Sequence, residues 1–127
     1  MRAAIVFVLA MLSAVATPAA AEWTSIAENP DGDQFFIDLA TLKIGTRSKA
    51  WFMTNYSART KYGDLSDKSL REVDCSEGKI RFLAGRFYTE PMGLGSVRIS
   101  YDEPSAWWYV TPMAVEAKMF RIMCPFR

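Results

Sequence analysis

The alternation of apolar and polar positions marks most of this chain as strand. Residues 22–27 (Glu-Trp-Thr-Ser-Ile-Ala) alternate weakly and predict a short first strand. Asn29-Pro30-Asp31-Gly32-Asp33 is dense in turn formers, and Gln34–Asp38 is apolar and aromatic, so the two segments predict an antiparallel hairpin. Asp38–Leu42 has the pattern of one helical turn with Asp38 as its cap. Ser48–Ser57, with Trp51, Phe52, Met53 and Tyr56, predicts a longer strand, and 59–66 a polar connection. In the next strand, Ser69–Ser76, strict alternation puts Arg71, Val73 and Cys75 on one face and Leu70, Glu72 and Asp74 on the other. Glu77-Gly78 turns the chain into Lys79–Tyr88, the clearest strand of all; Pro91–Gly95 breaks it, and Ser96–Tyr101 is a sixth. Successive strands with short connections favour an antiparallel meander over a parallel sheet.

The period then changes. Thr111-Pro112 is a helix start, and Met113–Cys124 follows with helical spacing. Met113, Ala117, Phe120 and Cys124 form one stripe, flanked by Val115, Met119 and Ile122. Glu116 early and Arg121 late suit the helix dipole, and Pro125 ends the run. Cys75 and Cys124 are the only cysteines. Both lie on apolar faces, so a Cys75–Cys124 disulfide would tether a C-terminal helix to the sheet. A loop of about 50 residues closed this way contributes about 4 kcal/mol in the chain-entropy model. The predicted fold class is therefore α+β: an antiparallel sheet with a C-terminal helix packed on one face.

The start of the chain is of another kind. Met1-Arg2, an apolar run to Ala16, and Thr17-Pro18-Ala19-Ala20-Ala21 form a secretory leader with an Ala-x-Ala cleavage site before Glu22. The apolar run is short for a membrane span, and no cysteine stands at the cut to take a lipid. The expected organisation is a signal peptide over 1–21 and one exported domain over 22–127, with no transmembrane helix in the mature chain. Export also favours oxidation of the two cysteines. With Arg2 removed, 14 basic side chains balance 14 acidic ones. That balance gives no global reason to expect nucleic acid as a partner.

Candidate chemistry is sparse. The chain has no histidine, which removes Ser-His-Asp and Cys-His catalysis and the common zinc sites. Asp31, Asp33 and Asp38 are too few for a calcium loop. Gly93-x-Gly95 follows a strand but opens no helix, so it reads as a turn. Asp64 with Asp67, and Asp102 with Glu103, are loop carboxylates with nothing to set their acidity. No enzyme activity, cofactor or metal is expected. What stands out is aromatic and basic. Trp107-Trp108-Tyr109 cannot be wholly buried if extended. Arg81 and Arg86 take opposite parity on the longest strand, with Arg98 on the next. The alternatives are a binding face and ordinary solvent-side charge on a one-sided sheet.

Lys61-Tyr62-Gly63-Asp64-Leu65-Ser66, leading to Glu72-Val73-Asp74-Cys75, resembles the central motif of the surface-adhesin protein E family. Other blocks agree in order: Trp23, Asp31-Gly32 before an aromatic pair and Asp38, Trp51, Pro91-Met92-Gly93-x-Gly95, Pro104-Ser105-x-Trp107, Pro112 and Cys124. The resemblance implies a curved antiparallel sheet of about six strands with the helix tied down by Cys75–Cys124. It also implies an exported protein of a Gram-negative bacterium, in the periplasm or at the cell surface. The implied partners are host matrix or serum proteins, or another envelope protein, with a capacity to form a homodimer. The candidate contact surface is Lys49, Arg59, Lys61, Lys68, Arg71, Arg81, Arg86, Trp107 and Trp108. The alternative is a periplasmic domain with a housekeeping role, or one holding a small apolar ligand between helix and sheet among Met113, Phe120 and Met123. One departure from the family pattern is the missing lipid-anchor cysteine.

Overall fold

The computed structural model describes residues 22–111 and 115–126. The expected leader over 1–21, and the expected first helical residues Pro112–Ala114, lie outside them. Seven antiparallel strands form one sheet. They are β1 (Trp23–Glu28), β2 (Gln34–Lys43), β3 (Arg47–Asn55), β4 (Ser66–Asp74), β5 (Lys79–Tyr88), β6 (Val97–Tyr101) and β7 (Trp108–Tyr109). The first six follow one another in sheet order as a meander. β6 pairs with the end of β5 (Gly85–Tyr88), and β7 with its beginning (Lys79 and Ile80). The Trp-Trp-Tyr segment thus supplies a short seventh strand to the predicted sheet.

Two sequence readings change in the sheet. Asp38–Leu42 is not a helical turn but part of β2. Its turn signal is spent on a bulge between Asp38 and Lys43. Asp38 Oδ1 accepts from Ala40 N, Thr41 Oγ1 donates to the Asp38 carbonyl, and Trp51 N donates to Thr41 Oγ1. The strand keeps its pairing on either side of this knot. The second change is in β5, where Leu70 pairs with Ala84 but Arg71 with Phe82. Leu83 is an extra residue, and the parity of everything beyond it reverses.

The helix α1 (Val115–Met123) lies over β1, β2 and β3. Its buried line is Val115, Met119 and Met123, at spacings of four. The expected leading stripe rotates accordingly: Ala117 and Phe120 are only half-buried, and Val115 and Met119, read as flanks, carry the packing. They meet Ile37, Ala50, Phe52, Val73 and Ile80 in one core. Each such side chain contributes roughly 1.5–3 kcal/mol by leaving water. The last turn is held twice. Ser48 Oγ donates to the Met123 carbonyl at 2.6 Å, satisfying a helix-end acceptor. Cys124 is bonded to Cys75, Cα to Cα 5.7 Å, just beyond β4.

Candidate binding surface

The face of the sheet opposite the helix is built by alternation along β2–β5. The cross-strand rows Phe36–Met53–Lys68–Arg86, Asp38–Trp51–Leu70–Ala84, Lys49–Glu72–Arg81 and Arg47–Asp74–Lys79 all project to it. Trp23 joins through its pairing with Asp38, and Lys43 through Lys49. The Leu83 bulge decides the charge pattern here. Arg81 and Arg86, expected on opposite faces, emerge on the same one, opposite Glu72 and Lys68.

Two clusters organise this face. In the first, Glu72 is 3% exposed and sits between two cations, with Arg81 at 2.7 Å and Lys49 at 3.4 Å. The Trp107 ring lies over Arg81, 4.3 Å from guanidinium carbon to centroid, with Arg47 at 5.4 Å. Arg47 also reaches Asp74 at 3.9 Å. The Asp74 carboxyl is held below the ordinary value because it accepts hydrogen bonds from Ser76 and Glu77 at the β4–β5 turn. Removing either partner of Glu72 would leave a buried charge poorly compensated.

In the second cluster, Lys68 Nζ stands 5.7 Å from the Trp23 ring and 5.1 Å from the Tyr88 ring. Trp23, Trp51, Tyr88, Lys68, Arg86 and Asp38 line a shallow cavity of about 200 Å³. The 3₁₀ turn Pro91–Gly93 folds over one end of it. Met92 N donates to Asn55 Oδ1, Gly93 N to Ser66 Oγ, and Ser66 Oγ to the Glu90 carbonyl. These bonds hold Met92 at φ 59°, a left-handed conformation that costs an L-residue roughly 1–2 kcal/mol. A Cβ on Gly93 would meet Lys68 Cε at 2.3 Å, so glycine lets the turn seat directly on the lysine stem.

Of the residues expected at a contact surface, Lys49, Lys68, Arg81, Arg86 and Trp107 gather on this face. The others are elsewhere. Arg59 is on the β3–β4 connection, donating to the Gly63 and Thr89 carbonyls. Lys61 is exposed on the same connection, over the Tyr62 ring at 4.9 Å. There Asp64 is fully buried and takes a two-pronged bond from Arg98 at 2.6 and 2.8 Å, which draws its carboxyl below the ordinary value. Arg71 and Trp108 face the helix side. Trp108 packs on Phe82 at 5.1 Å and donates to Glu116 Oε1, so it is a core ring rather than an anchor. The exposed ring of the aromatic run is Tyr109, with Lys79 Nζ at 5.0 Å. Trp23, Trp51, Tyr88 and Arg47 were absent from the expected surface. Trp51 shares parity with Lys49, and that was the signal to follow.

A family model for surface-adhesin protein E matches residues 23–125. The chain belongs to the surface-adhesin protein E family. A sequence search among curated proteins returns no match. Crystal form II of Haemophilus influenzae protein E superposes with a TM-score of 0.61 at 14% identity, covering 87% of this chain and 92% of that one. The selenomethionine form of the same protein gives 0.61 at 14% identity over 86% and 90%. Protein E from non-typeable H. influenzae gives 0.58 at 13% over 86% and 79%. At such identity the likeness shows a shared fold, and the site must be argued from this chain's residues. No described helix is long and apolar enough to cross a membrane.

Proposed function

We propose that this adhesin E-family domain is an exported envelope protein that binds a protein partner through the open sheet face. One observation carries the reading. Lys43, Arg47, Lys49, Lys68, Lys79, Arg81 and Arg86 share that face with Trp23, Trp51, Tyr88, Trp107 and Tyr109, against Asp38, Glu72 and Asp74. Rings beside cations, on rigid strands, suit a partner with an acidic patch and apolar groups to seat on tryptophan. Host matrix or serum proteins, another envelope protein and a second copy of the domain all qualify by chemistry. Family membership supports adhesion as the class of activity, without enzymatic chemistry.

The test is surface plasmon resonance of the mature domain over a panel of matrix, serum and envelope proteins. Lys68→Glu/Arg86→Glu is compared with Lys118→Glu/Arg121→Glu on the helix. The open-face pair should weaken binding at least about tenfold, and salt should weaken the wild-type complex. Equal loss from the helix pair, or none from the open-face pair, overturns the assignment. Protease shaving of intact and permeabilised cells reports the compartment. Digestion on intact cells supports host contact, whereas protection until permeabilisation supports an envelope partner.

A further inference from the structure

The helix lies mainly over β1–β3 on its side of the sheet, and toward the far edge β4 presents Asp67, Ser69 and Arg71 in line, Arg71 reaching the helix at Met119. These three, with Tyr56, Phe82, Phe87 and Tyr101, surround a cavity of about 240 Å³, and Lys68, whose ammonium lies on the open face beside Trp23 and Tyr88, contributes to the same lining. It opens on the other side of the sheet from the binding face described above, with Lys68 the one residue that lines both cavities.

The polar groups of this cavity are incompletely matched. Arg71 is 9% exposed and lies between the Phe52 and Phe82 rings, 5.4 and 4.9 Å from their centroids. Its Nε donates to Ser69 Oγ at 3.0 Å, and its Nη1 meets only the weak acceptor Met119 Sδ at 3.3 Å. No described carboxylate forms an ion pair with it. Asp67 uses one oxygen, Oδ2, to accept from Tyr56 Oη. Its other oxygen, Oδ1, is buried and meets no donor at full hydrogen-bond geometry, with Thr54 on the neighbouring strand the nearest source of one. A buried guanidinium without a carboxylate and a buried carboxylate oxygen without a donor each cost free energy. Burial accordingly raises the Asp67 carboxyl from its ordinary value, with Tyr56, Arg71 and Thr54 pulling the other way.

The two charges converge. Asp67 and Arg71 are four residues apart on one strand, about 13 Å between Cα atoms. The bond from Arg71 Nε to Ser69 brings the guanidinium back toward Asp67. The far wall depends on Gly85. A Cβ there would lie 2.4 Å from the Tyr101 ring, so only glycine lets that ring settle on the sheet.

The geometry points to a small zwitterion of amino-acid size as the occupant, its carboxylate on Arg71, its ammonium on Asp67 Oδ1 and its apolar group among Phe82, Phe87 and Tyr101. A lone anion would meet Asp67 and a lone cation Arg71; a zwitterion answers both without adding net charge. The volume equals about eight waters at ~30 Å³ each, which suits a free amino acid and excludes a peptide of any length.

The experiment is calorimetric titration of the wild-type mature domain with L-leucine and L-phenylalanine, then with 3-phenylpropionate and phenethylamine. Saturable binding of an amino acid is expected, with both half-analogues at least about tenfold weaker, because each leaves one buried group unmatched. Asp67→Asn and Tyr101→Ala should each reduce the affinity while retaining the sheet's circular dichroism signal. If a variant fails to fold, the wild-type analogue series still decides. No saturable binding of L-leucine or L-phenylalanine at about 10 mM, or half-analogues equal to the parent, overturns the proposal. The cavity is then a hydrated structural network.

Discussion

Reduction of the single disulfide is the most decisive perturbation of this fold. Cys75 and Cys124 are 49 residues apart in sequence. Opening a loop of about 50 residues restores denatured-state entropy worth about 4 kcal/mol. The native side adds a local argument. α1 has nine residues, too few to persist unsupported in water. Without the bond it is held by the Val115–Met119–Met123 seam and the Ser48–Met123 hydrogen bond. If it lifts, Ile37, Ala50 and Phe52 meet solvent and the sheet loses the cover on β1–β3. For a domain of this size, 1 kcal/mol shifts Tm by about 4–8 °C, so reduction should lower Tm by about 15–30 °C. The assay is thermal unfolding by circular dichroism of residues 22–127, oxidised and reduced. Cys75→Ala/Cys124→Ala serves as a check free of thiol chemistry. A reduced Tm within about 4 °C of the oxidised one, under 1 kcal/mol, would refute the reasoning. It would mean that the helix seam, not the staple, holds the C-terminus.

Met119→Ala should cost about 2–5 kcal/mol in urea unfolding, since Met119 is fully buried at the centre of the seam. Gly85→Ala should cost about 1–3 kcal/mol by driving the new methyl into Tyr101, with Tyr101→Ala restoring part of the loss in the double mutant. Acid should destabilise the fold through Asp64. Its folded-state value is depressed by Arg98, so the stabilisation is complete above the unfolded value near 3.8 and is lost as pH falls through the lower folded one. Tm measured from neutral pH down through the carboxylate range should therefore drop at the acid end, and Asp64→Asn should flatten that drop. Asp67 acts with the opposite sign: burial raises its carboxyl, so its ionisation opposes folding as pH rises. Asp67→Asn should thus raise Tm at neutral pH relative to acid.

Much of this architecture was legible because strict alternation is a strong signal. Lys79–Tyr88 and the Cys75–Cys124 tether could be placed from parity and helical period alone. What escaped were departures from strict period. Asp38–Leu42 carries a helix-cap signal that Asp38 and Thr41 satisfy by knotting a strand, because β2 resumes its pairing with β3 at Lys43–Lys49 and a helical turn would carry the chain away from that ladder. The helix stripe was assigned one position off, because Met113, Ala117, Phe120 and Cys124 are as apolar as Val115, Met119 and Met123, and a short helix tests the period over few turns. Arg71 was expected at a contact surface on charge alone. Its shared parity with Val73 and Cys75 already placed it on the core side.

The extra residue in β5 links both sites. If Leu83 were paired in regular alternation instead of bulged, with Arg81 held opposite Glu72, Arg86 would point to the helix side and the open face would lose a cation beside Lys68. Phe87 would equally leave the cavity wall for the open face. By taking Leu83 out of the alternation the bulge moves a charge out and a ring in, opposite Leu70 and Arg71 of β4. Bulges increase local twist and re-aim side chains. Here the effect is to divide the sheet into a basic-aromatic outer face and an aromatic-walled inner cavity, with Lys68 common to both linings. Deleting Leu83 joins Phe82 to Ala84 in regular alternation, so Arg86 and Phe87 should keep their faces and both binding activities should survive; joint loss of the two would mean that they need the local twist of the bulge. Because Lys68 lines both, Arg86→Glu and Asp67→Asn are the single substitutions that should each disturb only its own site.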